Sequence, residues 1–140
     1  MADWNQLRAY IHNKYSATDI SPRAIEMKFT IGEGDAPQIT YVSFGEAPNG
    51  DHWGQIDSPI GPIERIDIVR ALSLVENVVC GGLCRLTVQG VQLLSIRHCL
   101  PLANCDPEEF EAPLHFVTLA ANAFKNELAT GISSSPFNTR

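Results

Sequence analysis

The sequence has little clustered positive charge. Ten Lys and Arg residues stand against sixteen Asp and Glu residues, which gives a formal net charge of −6, and the basic residues form no run or stripe. Binding to a phosphate backbone or to an anionic membrane requires clustered positive charge. The composition therefore disfavours nucleic acid and membrane surfaces as partners.

Targeting and membrane-spanning patterns are also missing. The N-terminal MADWNQLRAY has no basic stretch followed by an apolar one. No apolar run approaches the ~18 residues that a membrane span needs. We therefore expect a cytoplasmic protein. In that compartment the four cysteines, Cys80, Cys84, Cys99 and Cys105, are expected to be free thiols.

The signatures of several enzyme classes are absent as well. The chain has no P-loop, no dinucleotide-binding glycine pattern, no HExxH and no GxSxG. An acid–base site could be drawn from His52 and Asp57 beside Trp53, but such loop residues more commonly lie in solvated turns. We predict a protein that is not an enzyme and that has no catalytic residues, cofactor or metal.

The cysteines and His98 lie close together in the sequence, which raises the question of a zinc site or a reactive thiol. Structural zinc sites favour Cys pairs about two to four residues apart in a knuckle. Cys80 and Cys84 instead run from a Gly-Gly turn into a predicted strand, and Cys99 and Cys105 are separated by a turn. His98 and Cys99 are neighbours on a strand and therefore point to opposite faces. Packed, inert thiols are the prediction, and a thiol or zinc sensor on Cys80 and Cys84 is a weaker alternative.

Periodicity predicts the first half of the chain as one helix and a three-stranded meander. DWNQLRAYIHNKY has apolar residues at helical spacing, and SATDISP after it is predicted as a loop. AIEMKFTI alternates strictly between apolar and polar residues, as a half-buried strand does. QITYVSFG and HWGQI follow as strands, joined through GEGDAP and PNGD.

The second half is predicted as a helix, a hairpin and a long helix. The middle helix of the chain should span about Ile63 to Asn77. The strands CRLTV and VQLLSIRH should form the hairpin, with their turn near Gln89-Gly90. The long helix should begin with Asp106 as N-cap and Pro107 at N1. Pro113 predicts an irregular first turn or a kink, and Gly131 predicts the helix end.

The element order α-β-β-β-α-β-β-α predicts an α+β fold with a mainly antiparallel five-stranded sheet packed with three helices. We expect residues 1–130 to form a single domain and residues 131–140 to be a mobile tail.

Apolar residues exceed what a single helix layer on a sheet is expected to bury. The middle helix has one apolar arc with Ile68, Ala71, Leu72 and Val75. A second stripe predicts a homodimer interface and consists of Ile63, Ile66 and Leu74 around Arg70. The periodicity of the last helix predicts one main buried stripe and one second stripe. The main stripe is Phe110, Leu114, Val117, Ala121, Phe124 and Leu128, and the second is Ala112, Phe116, Leu119 and Ala123.

The junction before the last helix, together with the order of elements, resembles the type III secretion chaperone-like fold. The matching residues are Arg97, His98, Cys99, Leu100, Pro101, Leu102, Asp106, Pro107, Glu108, Glu109 and Phe110. The chain is similar to YbjN-type and Tir-chaperone-like proteins, which implies a small cytoplasmic dimer that binds another protein and catalyses nothing. Cys99, Cys105 and Pro113 depart from the pattern of that family.

Two functions follow as hypotheses. The first is a non-enzymatic, dimeric module that binds another protein along an apolar face or a sheet edge. The alternative is a small-molecule-binding or catalytic domain with a pocket between sheet and helices, using His98 or His52.

Overall fold

A six-stranded antiparallel sheet organises the part of the chain that this computed structural model describes, residues 3–32, 36–103 and 105–133. The strands lie in the order β1-β2-β3-β4-β6-β5. The elements are α1 (Trp4–Lys14), β1 (Ala17–Ser21), β2 (Ala24–Phe29), β3 (Gln38–Glu46), β4 (His52–Pro62), α2 (Ile68–Val75), β5 (Gly82–Val88), β6 (Val91–Pro101) and α3 (Glu111–Ser133). Short 3₁₀ turns, Ile63–Arg65 and Pro107–Phe110, precede α2 and α3.

The α+β class and the three helices are confirmed, whereas the prediction of five strands is wrong. The order is α-β-β-β-β-α-β-β-α, because β1 lies where a loop was predicted. Its residues ATDIS are mostly exposed and show no apolar alternation. β1 forms by pairing with β2, with Ala17 opposite Met27. A strand held by pairing with its neighbour leaves little signal in its own sequence.

The predicted meander and hairpin are both confirmed. β2, β3 and β4 pair consecutively, and β5 pairs with β6 along its whole length. Val88 lies opposite Val91, so the hairpin loop is the two residues Gln89 and Gly90. Both have positive φ, 50° and 82°. This is the conformation of a type I′ turn, whose twist matches that of the flanking strands.

The helices pack on one face of the sheet and form the core with it. α3 buries the stripe that its periodicity predicted, with Phe124 at its margin, and α1 buries Trp4, Leu7 and Ile11. Each large apolar side chain buried in this way contributes about 1.5–3 kcal/mol. Among the described residues, the buried apolar residues of α3 and of the turn before it are Phe110, Leu114, Val117, Ala121 and Leu128. The sheet residues of the same core are Ile25, Met27, Val42, Ile56, Ile60, Leu94 and Ile96.

Ion pairs attach α1 to its neighbours. Asp19 of β1 binds Arg8 and His12. The hydrogen bond from Arg8 is the main cause, and the one from His12 the second, that lowers the pKa of Asp19 to about 2. Glu111 at the start of α3 binds Lys14 and Tyr10, and these bonds, Lys14 first, lower its pKa to about 2. Both carboxylates therefore stay ionised well into the acid range.

The predicted helix Ile63–Asn77 is wrong in its bounds. Ile63 belongs to a 3₁₀ turn, and Ile66 after it is extended, with φ −108° and ψ 134°. Asp67 then caps α2, because its side chain accepts a hydrogen bond from Arg70 N at 3.1 Å. An Asp that bonds the free N–H groups of a helix start sets that start. α2 is consequently short and begins at Ile68.

The start of α3 follows its prediction and its end does not. Asp106 N donates to Glu109 Oε2 at 2.6 Å, and the Pro107–Phe110 turn is 3₁₀, which is the irregular first turn expected near Pro113. α3 continues through Gly131 to Ser133, beyond the predicted stop. Residues 134–140, on which most of the predicted tail falls, lie outside the described residues.

Pro59 interrupts the centre of the sheet. The ladder between β3 and β4 runs from Glu46 and His52 to Tyr41 and Asp57 and stops there. Two side chains then bond the backbone beyond it: Ser58 Oγ donates to Ile39 O at 2.7 Å, and Gln38 Nε2 donates to Pro59 O at 2.9 Å. Proline has no N–H for a ladder, so side chains satisfy the carbonyls in its place.

The substitution Ser58→Ala should lower the free energy of unfolding by about 1–3 kcal/mol, because it leaves the buried Ile39 O without its donor and removes the acceptor of Gln38 and Thr40. Urea unfolding followed by circular dichroism measures the change. Ser73→Ala, at an exposed position of α2, is the matched control and should stay within about 0.5 kcal/mol of wild type. Equal stability of the two variants would contradict the role given to Ser58.

Candidate functional site

The sheet face opposite the helices has no helix over it within the described residues, and its side chains form ordered rows. Because neighbouring strands are in antiparallel register, four polar residues lie side by side across β2, β3, β4 and β6. We call them the polar row: Glu26, Tyr41, Asp57 and Arg97. Residues directly opposite on one sheet face are close enough for their side chains to interact.

Asp57 is the buried centre of the polar row, with 1% of its surface exposed. Its Oδ1 accepts from Arg97 Nε at 2.8 Å and from Ser95 Oγ at 3.3 Å. Its Oδ2 accepts from Gln55 Nε2 at 2.7 Å. Burial lowers the pKa of Arg97, but the hydrogen bond and the charge of Asp57 more than offset this and leave it raised. Asp57 and Arg97 form an ion pair, and their two charges cancel.

The predicted environment of Asp57 is wrong. The sequence pattern indicated a solvated turn, whereas Asp57 lies in a central strand and is held from three sides. His52 starts the same strand but faces the other side of the sheet, where its ring meets Phe44 edge-on at 4.6 Å between centroids. An odd separation of five positions places the two side chains on opposite faces. They therefore do not form an acid–base pair with each other.

The open face curls into a cleft. Its volume is about 320 Å³, and it is lined by Ile20, Ala24, Glu26, Tyr41, Ser43, Asp57, Leu86, Thr87, Val88 and Gln89. We call it the sheet cleft. The register of β4 against β6 shifts between Pro59 and Gly61, and such a bulge bends the strand. The cleft is lined by the tip of the β5–β6 hairpin together with residues of β1, β2 and β3.

Glu26 is the carboxylate of the sheet cleft that has no cation beside it. None of the ion pairs between described residues includes Glu26, whereas Asp57 has Arg97. Burial and then the charge of Glu26 raise the pKa of Tyr41, its neighbour in the polar row. The cleft therefore combines one uncompensated negative charge with a phenol and apolar walls.

The cysteines show no sign of chemical activation. All four are free; Cys84 and Cys99 lie on the open face and Cys105 in the core. Burial is the main cause that raises the pKa of Cys80, Cys99 and Cys105, the last to about 11. A thiol of raised pKa is a poor nucleophile at neutral pH. Among residues 3–32, 36–103 and 105–133, no three His, Cys, Asp or Glu residues are grouped to hold a metal ion.

The predicted dimer stripe lies partly in the core. Ile63, Ile66 and Leu74 are half-buried and pack against the core, and Arg70 Nη2 donates to Glu127 O of α3 at 3.3 Å. The outer surface of α2 is instead formed by Ile68 and Leu72 of the other arc together with Val69. We call them the α2 patch: Ile68, Val69 and Leu72, exposed by 38%, 78% and 54%.

Sequence reasoning missed the α2 patch for a local reason. The helix starts at Asp67 rather than before Ile63, so the 3₁₀ turn and the extended Ile66 direct the earlier apolar residues inward. On α3, the second predicted stripe is exposed as its spacing indicated, with Phe116 and Leu119 outermost. Two helices therefore present apolar residues to the outside.

Comparison with protein-family models finds no match to this chain, and comparison with curated proteins finds none either. No helix within the described ranges is both long enough and apolar enough to cross a membrane. The proposed function therefore rests on the structure and on the chemistry of its surfaces.

The substitution Asp57→Ala should lower the free energy of unfolding by about 3 kcal/mol, since it leaves Arg97 without its buried partner. Chemical unfolding of Asp57→Ala, Arg97→Met and the double variant forms a complete cycle. The double variant should be less destabilised than the sum of the two single changes, because no unpaired charge is left. Additive effects would contradict a direct coupling of the two side chains.

Proposed function

We propose that this protein is a non-enzymatic binding module that holds an extended segment of another protein on the open face of its sheet. The sheet cleft is the observation that carries the proposal. A face that curves around about 320 Å³ and combines apolar walls with a fixed polar floor is suited to receiving side chains of a partner.

The polar groups of the cleft support binding rather than catalysis. Both oxygens of Asp57 are occupied by donors from the same face, so the carboxylate is committed to holding the sheet. The thiols nearest to it, Cys84 and Cys99, have no base in hydrogen-bond contact among the described residues. General base and nucleophilic catalysis both require such a contact with a proton to be moved.

The outer edge of β5 gives the partner segment a place to pair. Within the described residues β5 pairs with β6 alone, and its register is unbroken from Gly82 to Val88. The other edge strand, β1, has an irregular register between Asp19 and Ser21 and is followed by Pro22. Bulges and prolines protect an edge, whereas a regular edge accepts an added strand. A segment on β5 would lie beside Leu86 and Val88 of the cleft.

The resemblance to secretion chaperone-like and YbjN-type proteins supports this proposal. The observed order of elements is that of the resemblance with one extra edge strand, β1. Many proteins of that kind look like small dimers that bind another protein and catalyse nothing. We place this protein in the cytoplasm, where half-exposed free thiols such as Cys84 are stable.

A second copy of the chain is the proposed occupant of the α2 patch. A two-fold interface sets the same surface of both subunits together, so an apolar patch on each covers the other. Ile68, Val69 and Leu72 lie on one side of one helical turn and supply such a patch. The module would then be a homodimer with two open sheet faces.

Small-molecule binding is a second candidate, favoured by the size of the cleft. About 320 Å³ lies within the ~300–1,000 Å³ of pockets that bind small molecules. This pocket lies on the open face, whereas the sequence hypothesis expected one between sheet and helices. A pocket of about 420 Å³ that is lined by Asp3 and Gln6 at α1 and by His52 of β4 is nearer to that expectation. A ligand screen by thermal unfolding, with a rise of several degrees for one compound class, would favour it.

The α2 patch predicts the mass in solution. Light scattering coupled to size exclusion should give the wild type twice the 15.4 kDa mass of one chain. Val69→Asp with Leu72→Asp should give a monomer, because charge on the patch opposes its burial in the dimer. Val91→Asp, an exposed apolar residue on the hairpin, is the control and should stay dimeric. A monomeric wild type, or a dimeric double variant, would contradict the dimer.

Peptide selection tests the open face. From a library of random 12-residue peptides displayed against the whole chain, we expect peptides whose binding is lost in Val88→Arg, since a long side chain would fill the cleft from its hairpin wall. Val79→Arg, at an 88% exposed position away from the cleft, should keep them. Failure to select any peptide with this dependence would overturn the proposed function.

A further inference from the structure

The charge balance of the sheet cleft suggests what kind of side chain it accepts. Asp57 is neutralised by Arg97 at 2.8 Å, so it adds no net charge. Glu26 has no cation within ion-pair distance in the part of the chain that the structure describes, and it is half-buried at the cleft wall. A carboxylate that has lost part of its water is stabilised by a cation brought to it.

The neighbours of Glu26 suit an organic cation rather than a metal ion. Tyr41 lies directly opposite Glu26 in the register and lines the same cleft with its aromatic side chain. Cations are attracted to the faces of aromatic rings. Metal ions of the hard type need several oxygen ligands, and no such group of carboxylates is formed by the described residues.

The walls of the cleft match an aliphatic stem. Ile20 lies on one side, and Leu86 and Val88 of the hairpin lie on the other. Lysine and arginine bury their methylene stems against apolar surface while the charged end reaches a polar site. The combination of such walls with Glu26 is a receptor for a side chain of this shape.

We propose that the sheet cleft receives a lysine or arginine side chain of the bound protein segment, with Glu26 as its counter-charge and Tyr41 as its aromatic neighbour. This inference rests on the proposed function, since the side chain belongs to a segment held on the open face. The free edge of β5 favours a polypeptide over a free amine, because it offers main-chain hydrogen bonds that a free amine cannot use. The net charge of −6 favours approach of a basic partner.

The experiment uses the selected 12-residue peptides that depend on Val88. They should share a Lys or Arg at one position, and replacing it with norleucine should weaken binding to the wild type about tenfold or more. Glu26→Gln should weaken the original peptide to the same extent and leave the norleucine version unchanged. Glu46→Gln, an exposed carboxylate at the end of β3, is the control and should leave both affinities unaltered.

The outcomes separate the inference from the proposed function. Val88-dependent peptides without a common basic residue, or with equal affinity for Glu26→Gln and wild type, would overturn the inference and leave the binding module standing. Peptides with no dependence on Val88 would overturn both. If Nα-acetyl-lysine amide alone bound as tightly as a whole peptide, the lysine would not need to belong to a polypeptide. This outcome would overturn the inference and favour a small-molecule site. The affinities of the original peptide and its norleucine version for the wild-type protein test the role of the basic side chain even if Glu26→Gln does not fold.

Discussion

The interruption of the central ladder at Pro59 is the constraint on which the rest of the structure depends. A proline in an inner strand leaves backbone carbonyls without donors, and Ser58 and Gln38 bond them from inside the core. The register shift that follows at Gly61 bends β4 and carries the β5–β6 hairpin with it. The tip of this hairpin lines the same cleft as Glu26, Tyr41 and Asp57 of the polar row.

The two faces of the sheet differ in role: one stabilises the fold, and the other is the proposed binding surface. The helix face holds the apolar core, and the polar contacts within it join Thr40 of β3 to Thr118 of α3 at 2.7 Å. On the open face, the Asp57–Arg97 pair fixes the floor and cancels its own charge. Glu26 is thereby left as the charge that a partner meets. Asp57 can therefore be structural while Glu26, in the same row, is available for binding.

Local features of this fold could be predicted from the sequence, and features set by distant pairing could not. The alternation of β2, the Gln89-Gly90 turn and the Asp106 start of α3 depend on a few neighbouring residues. β1 has no such pattern and exists only beside β2. The role of Asp57 required knowing that Arg97, forty positions later, lies opposite it. The dimer stripe stays a prediction. Its residues Ile63, Ile66 and Leu74 are half-buried, and their partial burial could not be predicted because α2 begins only after the Asp67 cap.

The open face of the sheet is the proposed binding surface for the partner protein. Amide chemical shifts of the ¹⁵N-labelled chain, recorded while the tightest selected peptide is added, test this proposal. We expect the largest changes at Ala24, Tyr41, Leu86 and Val88, which line the sheet cleft. Changes confined to α2 or to the outer side of α3, with the strands of the cleft unaffected, would contradict it.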